Sequence, residues 1–229
     1  MQLVVLAGGL GTRLKGSIPE GVPKPMAEVG GRPFLEHLLD ASLEQGVRDV
    51  VLLVSHLADS VSHHFGASYR GVPVRYSVEP EPLGTGGAIR HAASMLNDEF
   101  VLMTGDTFAQ VSYSRLVDHL DRDVMAMSLT PVDDLGRFGA VATEGDRAVE
   151  LLEKRGSGPG LINAGIYACR LEILELFPSA DRFSFETDVL EPSLPRVRPP
   201  FERTGPHFFD IGVPADLAAA DQFFGQNRA

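Results

Sequence analysis

Residues 7–13 read Ala-Gly-Gly-Leu-Gly-Thr-Arg and join three glycines to one guanidinium. Glycine takes positive φ freely and carries no Cβ, so successive N–H groups can converge on an anion. Arg13 adds a fixed charge suited to bridging phosphate oxygens. A little further on, Lys24 stands between Pro23 and Pro25. The two rings stiffen the backbone around a single ammonium and aim it at one spot. The chemistry these residues suit is phosphate binding beside a placed cation. Two common phosphate templates fail here. A dinucleotide fingerprint needs a glycine where Leu14 stands, and a P-loop needs a lysine where Ser17 follows Gly16. A Gly-Gly turn alone is an ordinary loop; the Pro-Lys-Pro segment is what points it toward phosphate.

Two aspartates offer the hard oxygen ligands that Mg²⁺ prefers. Asp106 follows the apolar run 100–104, and Asp210 lies in Phe-Phe-Asp-Ile-Gly at 208–212. Taken singly, each is equally a turn or cap residue. Cys169 is the single cysteine, which excludes an internal disulfide or a cysteine metal site and suits a small apolar strand residue. His63 and His64 would point about 100° apart on a helix, so they read as surface residues rather than ligands of one ion.

The elements that must position these groups follow from apolar patterning. Residues 2–6, 49–54, 72–78 and 100–104 read as strands, and 33–45, 57–65, 86–96 and 113–120 as helices. That alternation predicts an α/β fold: a doubly wound, Rossmann-like, mostly parallel sheet covered on both faces. Ligands of such sheets bind at the carboxyl ends of the strands, so the loops after Leu6, Val78 and Thr104 become candidate walls of a site. From residue 123 the character changes. Runs 124–130, 139–143, 148–152 and 161–169 suggest a mixed-sheet extension, and 214–224 a final helix opened by proline. With no evident linker, we expect one domain over 1–229, with 1–120 and 121–229 as its two halves.

Bulk composition narrows the partners. A net charge of −11 argues against nucleic acid, which needs a basic face. The apolar start at 2–8 is too short for a signal peptide, and no stretch is long enough to span a membrane. A cytoplasmic address is the expectation.

Several motifs taken together carry a family likeness. They are LAGGLGTRL at 6–14, PKPM at 23–26, PFLEH at 33–37, EPEPLGTGGAI at 79–89 and GDT at 105–107. RFG at 137–139, EK at 153–154, SGPGLINAGIY at 157–167 and FFDIGVPAD at 208–216 complete the set. Together they resemble the sugar-phosphate nucleotidyltransferases, and within them the D-glycero-D-manno-heptose 1-phosphate guanylyltransferases. The resemblance implies that a sugar phosphate attacks the α-phosphorus of a nucleoside triphosphate and pyrophosphate leaves. It implies nucleotide contacts from Leu6, Ala7, Gly8, Gly9, Gly11, Thr12, Glu79, Pro82, Leu83, Gly84 and Thr85. Arg13 would then hold the triphosphate, and Lys24 would bridge the α-phosphate and the incoming phosphate. Lys154 would grip the sugar phosphate, with the sugar among Gly139, Glu153, Asn163 and Gly165. Asp106 and Asp210 would hold Mg²⁺ on the nucleotide. Thr104 departs from the Asn or His common there.

By the same likeness Glu79 lies beside the base, where uridylyl- and thymidylyltransferases often carry Gln. A carboxylate only accepts hydrogen bonds, and guanine presents two neighbouring donors, so Glu79 favours GTP unless it faces solvent. Asn163 could equally be a turn residue. The heptose rests on overall likeness, and mannose, glucose or an N-acetyl sugar would need similar contacts. A non-catalytic nucleotide-sugar sensor on the same fold is the other class of reading, though none of its expected losses (Arg13, Lys24 or an aspartate) occurs. No second catalytic domain of β-helix type is expected, and a homodimer is compatible with the chain.

Overall fold

The computed structural model describes residues 1–9, 18–19, 21–55, 57–137, 139–152 and 157–226. Four strands make the centre of its sheet: β1 (Gln2–Leu6), β2 (Asp49–Val54), β3 (Val72–Val78) and β4 (Glu99–Thr104). They lie in the order β3-β2-β1-β4 and are all parallel. Helices α1 (Phe34–Glu44), α2 (Ala58–Phe65) and α3 (Gly84–His91) link one strand to the next.

Side chains alternate across each strand, and both faces are covered. Leu3, Val5, Leu52, Val101 and Met103 enter one buried cluster with Leu38, Leu39, Val61 and Phe65 from α1 and α2. Val4, Val51, Leu53, Phe100 and Leu102 enter the other with Ala88 and Ile89 from α3. Continuous apolar runs are therefore what β1, β2 and β4 require, and burial of each large side chain stabilises the fold by about 1.5–3 kcal/mol. The winding reverses at β1. Its neighbours β2 and β4 are reached through helices on opposite faces, so the crevice beyond the carboxyl ends of β1 and β4 is the switch point of the sheet. Leu6 pairs with Thr104 there.

The second half extends the same sheet. Strand β8 (Gly160–Arg170) runs antiparallel to β4, and β5 (Met125–Val132) runs antiparallel to β8. The hairpin β6 (Ala140–Glu144) and β7 (Arg147–Leu152) adds to β8, and β9 (Phe201–Arg203) runs parallel to β5. The expected α/β class, parallel centre and mixed extension are all present. The final helix, α4 (Pro214–Gln226), sets Phe224 edge-on to Phe34 and Phe108. Among the described residues no helix is long and apolar enough to cross a membrane. Cys169 is buried in β8, where burial pushes its thiol pKa up.

Some boundaries differ from the expectation. The helix expected over 86–96 starts at Gly84 and ends at His91, with a 3₁₀ turn at Ala93–Met95. Glycines at 84, 86 and 87 are poor helix formers, so tertiary packing rather than propensity sets that start. The helical segment Glu191–Val197 contains Pro195, and β9 follows Pro199 and Pro200; prolines hide both from a pattern reading.

Candidate functional site

The switch-point crevice holds two cavities that share a wall. One has a volume of about 280 Å³ and is lined by Leu6, Gly8, Gly9, Lys24, Pro25, Leu53, Ser55, Glu79, Pro82, Gly84, Thr85, Ala88, Thr104 and Asp106. The other, about 260 Å³, is lined by Leu6, Thr85, Thr104, Asp106, Thr107, Asn163, Gly165, Tyr167, Phe185, Glu186, Phe208 and Asp210. Leu6, Thr85, Thr104 and Asp106 belong to both.

Lys24 stands at the seam. Its segment forms a 3₁₀ turn at Lys24–Met26, and its own N–H donates to Gly9 O at 3.4 Å. That bond ties the Pro-Lys-Pro turn to the glycine loop. The Lys24 side chain is only 7% exposed. Its ammonium donates a short hydrogen bond to Asp106 and lies 3.8 Å from Asp210 Oδ1. Asp106 hangs from the end of β4. Asp210 is brought to it by a short antiparallel ladder, Phe208–Asp210 against Thr107–Ala109. Ile211 N donates to Asp106 O at 3.0 Å and Gly212 N to Asp210 Oδ1 at 2.8 Å, which fixes the two carboxylates relative to each other.

In the larger cavity Glu79 continues from the end of β3, its N–H donating to Val54 O at 3.0 Å. It is half-buried and lines the cavity rather than facing solvent. Burial raises its pKa above the usual carboxylate range, partly offset by the Leu83 N–H at 3.4 Å and by His91. Leu83 contributes that N–H rather than a side chain. Ala7 is buried in the core, and its N–H donates to Leu53 O at 2.8 Å, while Gly8 and Gly9 face the cavity.

In the smaller cavity Asn163 sits at a bulge in β8, where the pairing with β5 shifts between Asn163 and Tyr167. Gly165 takes φ +71° there. Asn163 Oδ1 accepts from Gly165 N at 3.1 Å, so Asn163 makes a turn of its own and also lines the cavity. Burial raises the Tyr167 pKa well above its ordinary value, which leaves a neutral phenol at the cavity wall. Gly139 lies outside both cavities, where an added Cβ would meet Leu152 O at 3.2 Å. Gly11, Thr12, Arg13, Glu153 and Lys154 lie outside the described residues. Sequence reasoning missed Ser55, Thr107, Tyr167, Phe185, Glu186 and Phe208 as lining residues. Thr107, Tyr167 and Phe208 stand inside quoted motifs and Ser55 directly follows the strand neighbouring β1, whereas Phe185 and Glu186 carried no such signal.

The profile of the nucleotidyl transferase family matches residues 2–227. The D-glycero-alpha-D-manno-heptose 1-phosphate guanylyltransferase of Campylobacter jejuni is 37% identical over 94% of this chain and 96% of its own length. The enzyme of the same description from Aneurinibacillus thermoaerophilus is 33% identical over 97% of each chain. Crystalline HddC from Yersinia pseudotuberculosis, in complex with GMP-PN, superposes with a TM-score of 0.83 at 34% identity, covering 97% of this chain and 99% of that one. With a switch-point crevice, a lysine held by two aspartates and likeness along nearly the whole chain, this protein is an enzyme that belongs to the nucleotidyl transferase family.

Proposed function

We propose that this enzyme transfers a guanylyl group from GTP to D-glycero-α-D-manno-heptose 1-phosphate and releases pyrophosphate. The observation that carries the reading is the Lys24 ammonium at the seam of the two cavities, beside Asp106 and Asp210. A nucleotide in the larger cavity and a sugar phosphate in the smaller one would meet there. An oxygen of the sugar phosphate forms a bond to the α-phosphorus, and the bond from that phosphorus to the β-phosphate bridging oxygen breaks. The attacking phosphate is already anionic, so no general base is needed. Lys24 faces the charge that shifts at the α-phosphoryl oxygens, and positioning with charge neutralisation is the main resource of such transfers.

The donor set suits Mg²⁺. Two carboxylates converge, and among the described residues no group of three or more His, Cys, Asp or Glu could hold a metal alone. Mg²⁺ often takes one or two carboxylates and completes its shell with water and substrate phosphates. Asp106 and Asp210 would hold it, and it would neutralise triphosphate charge. The sugar and base rest on the descriptions of the two curated relatives, and Glu79 in the larger cavity supports guanine.

Pyrophosphate release across a matrix of nucleoside triphosphates and sugar 1-phosphates tests this reading. GTP with the heptose 1-phosphate should be the best pair, and EDTA should abolish release. Equal use of UTP or ATP would refute the base, a preference for mannose 1-phosphate the sugar, and silence with every pair the reaction itself.

Glu79→Gln tests the base contact separately. It replaces one acceptor by a donor and should lower kcat/KM for GTP by roughly ten- to a hundredfold. The ionised carboxylate is the acceptor, and burial makes Glu79 protonate at higher pH than an ordinary glutamate. The wild-type KM for GTP should therefore rise as pH falls toward the acid range, and this rise should be absent in the Gln variant.

A further inference from the structure

We propose that Glu186 reads the hydroxyls of the acceptor sugar and that Asn163 is the positioning residue that holds it there. This rests on the smaller cavity being the sugar 1-phosphate pocket. Asn163 has two N–H donors and one carbonyl with two lone pairs. One N–H goes to Tyr167 Oη at 2.5 Å, the other to Glu186 Oε1 at 3.1 Å, and the carbonyl accepts from Gly165 N. Three of its four positions are engaged within the protein, and no donor remains for a substrate. Glu186 is exposed and lines the cavity; of the about four acceptor positions of a carboxylate, one takes the Asn163 N–H. Neighbouring sugar hydroxyls are donors at the spacing a carboxylate accepts.

The support for Glu186 is built. It lies in a π-helical turn, Phe185–Leu190, whose start is pinned from three sides. Phe185 N donates to Thr85 Oγ1 at 2.8 Å, Ser184 N to Asp188 Oδ2 at 2.7 Å, and Thr187 N to Ser184 Oγ at 3.2 Å. Thr85 lines both cavities, so the turn is tied to the nucleotide side. Beside Glu186, the Phe185 and Tyr167 rings meet edge-on at 5.3 Å and give an apolar wall for the C–H face of a sugar ring. Thr104 borders both cavities at the floor of the crevice. Lys24, beside Asp106 and Asp210, would meet the phosphate end, and among the described residues Glu186 is the carboxylate on the Asn163 side of the cavity.

Steady-state kinetics with D-glycero-α-D-manno-heptose 1-phosphate and its monodeoxy analogues tests the assignment. Glu186→Gln is isosteric and should raise the sugar-phosphate KM roughly tenfold, and Glu186→Ala roughly a hundredfold, with the GTP KM unchanged. One monodeoxy analogue should be poor with the wild type and no poorer with Glu186→Ala, which identifies the hydroxyl read. Asn163→Ala should raise the same KM and add little on top of Glu186→Ala. A wild-type sugar-phosphate KM in both Glu186 variants would overturn the proposal while leaving the reaction standing. Absence of turnover by the wild type with every sugar 1-phosphate would overturn the reaction and this assignment together.

Discussion

Replacing Lys24 by Met should lower kcat by roughly a thousandfold, the upper range for losing one preorganised charge at a reacting centre. Met keeps the length and apolar stem of the side chain and removes only the ammonium. That ammonium is buried and has both Asp106 and Asp210 beside it. The loss should fall on kcat more than on either KM, because the charge at the α-phosphoryl group shifts as the bond forms and breaks. The fold should survive. Removing one partner of a fully buried ion pair costs about 3–5 kcal/mol, but Asp106 and Asp210 are each about a third exposed, and water screens what is left. Pyrophosphate release at saturating GTP and sugar phosphate, with a thermal melt on the same sample, separates the two effects. A kcat within tenfold of wild type in a folded variant would remove Lys24 from the chemistry.

The parts of this molecule that pattern could reveal are those governed by local burial. Strands β1 and β2 run over the residues expected because each is an apolar run buried on both faces, and β3 does so on its alternation, with Val72 and Val74 buried and Pro73 exposed between them. The cation at Lys24 was visible for a similar reason, since its two prolines are its immediate neighbours. What joins Lys24 to its partners was not visible as geometry. Asp106 is 82 positions away, and Asp210 reaches the site only through a ladder of three residue pairs. Nothing in Phe-Phe-Asp announces a strand whose partner is Thr107–Ala109. Glu186 was hidden more deeply: a π-helical turn follows neither a 3.6 nor a 2.0 residue period, and its surroundings are set by residues 85 and 163. The sequence allows Asn163 to be either a sugar ligand or a turn residue. Its carbonyl makes the turn, and its amide holds Tyr167 and Glu186, so the side chain shapes the cavity wall from both ends.

Gly84→Ala should be the most destabilising single-methyl change at the site, by about 3 kcal/mol. Gly84 takes φ +76°, which costs an L-residue about 1–2 kcal/mol. Its added Cβ would also lie 2.5 Å from Phe183 O, a backbone atom that cannot rotate away, and forced overpacking adds about 1–3 kcal/mol. The carbonyl it would displace has work at that place. Phe183 O accepts from Gly86 N at 3.0 Å and Gly87 N at 3.3 Å, and so satisfies donors that the start of α3 leaves open. Phe183 N in turn donates to Leu83 O at 3.0 Å. Two residues on, Phe185 N binds Thr85, so a shift at 183 reaches the Glu186 turn as well as the nucleotide cavity that Gly84 lines. Gly145→Ala is the control, because Gly145 has φ +62° with open space around its Cβ position. By the usual scaling for a chain of this size, Gly84→Ala should lower Tm by roughly 6–12 °C and Gly145→Ala, with the strain alone, by roughly 2–8 °C and less than Gly84→Ala. Equal shifts would mean that backbone strain alone acts at Gly84 and that the contact with Phe183 yields. The expected inequality would show that the glycine in Pro-Leu-Gly-Thr-Gly-Gly is there to let a carbonyl from the second half of the chain cap a helix of the first.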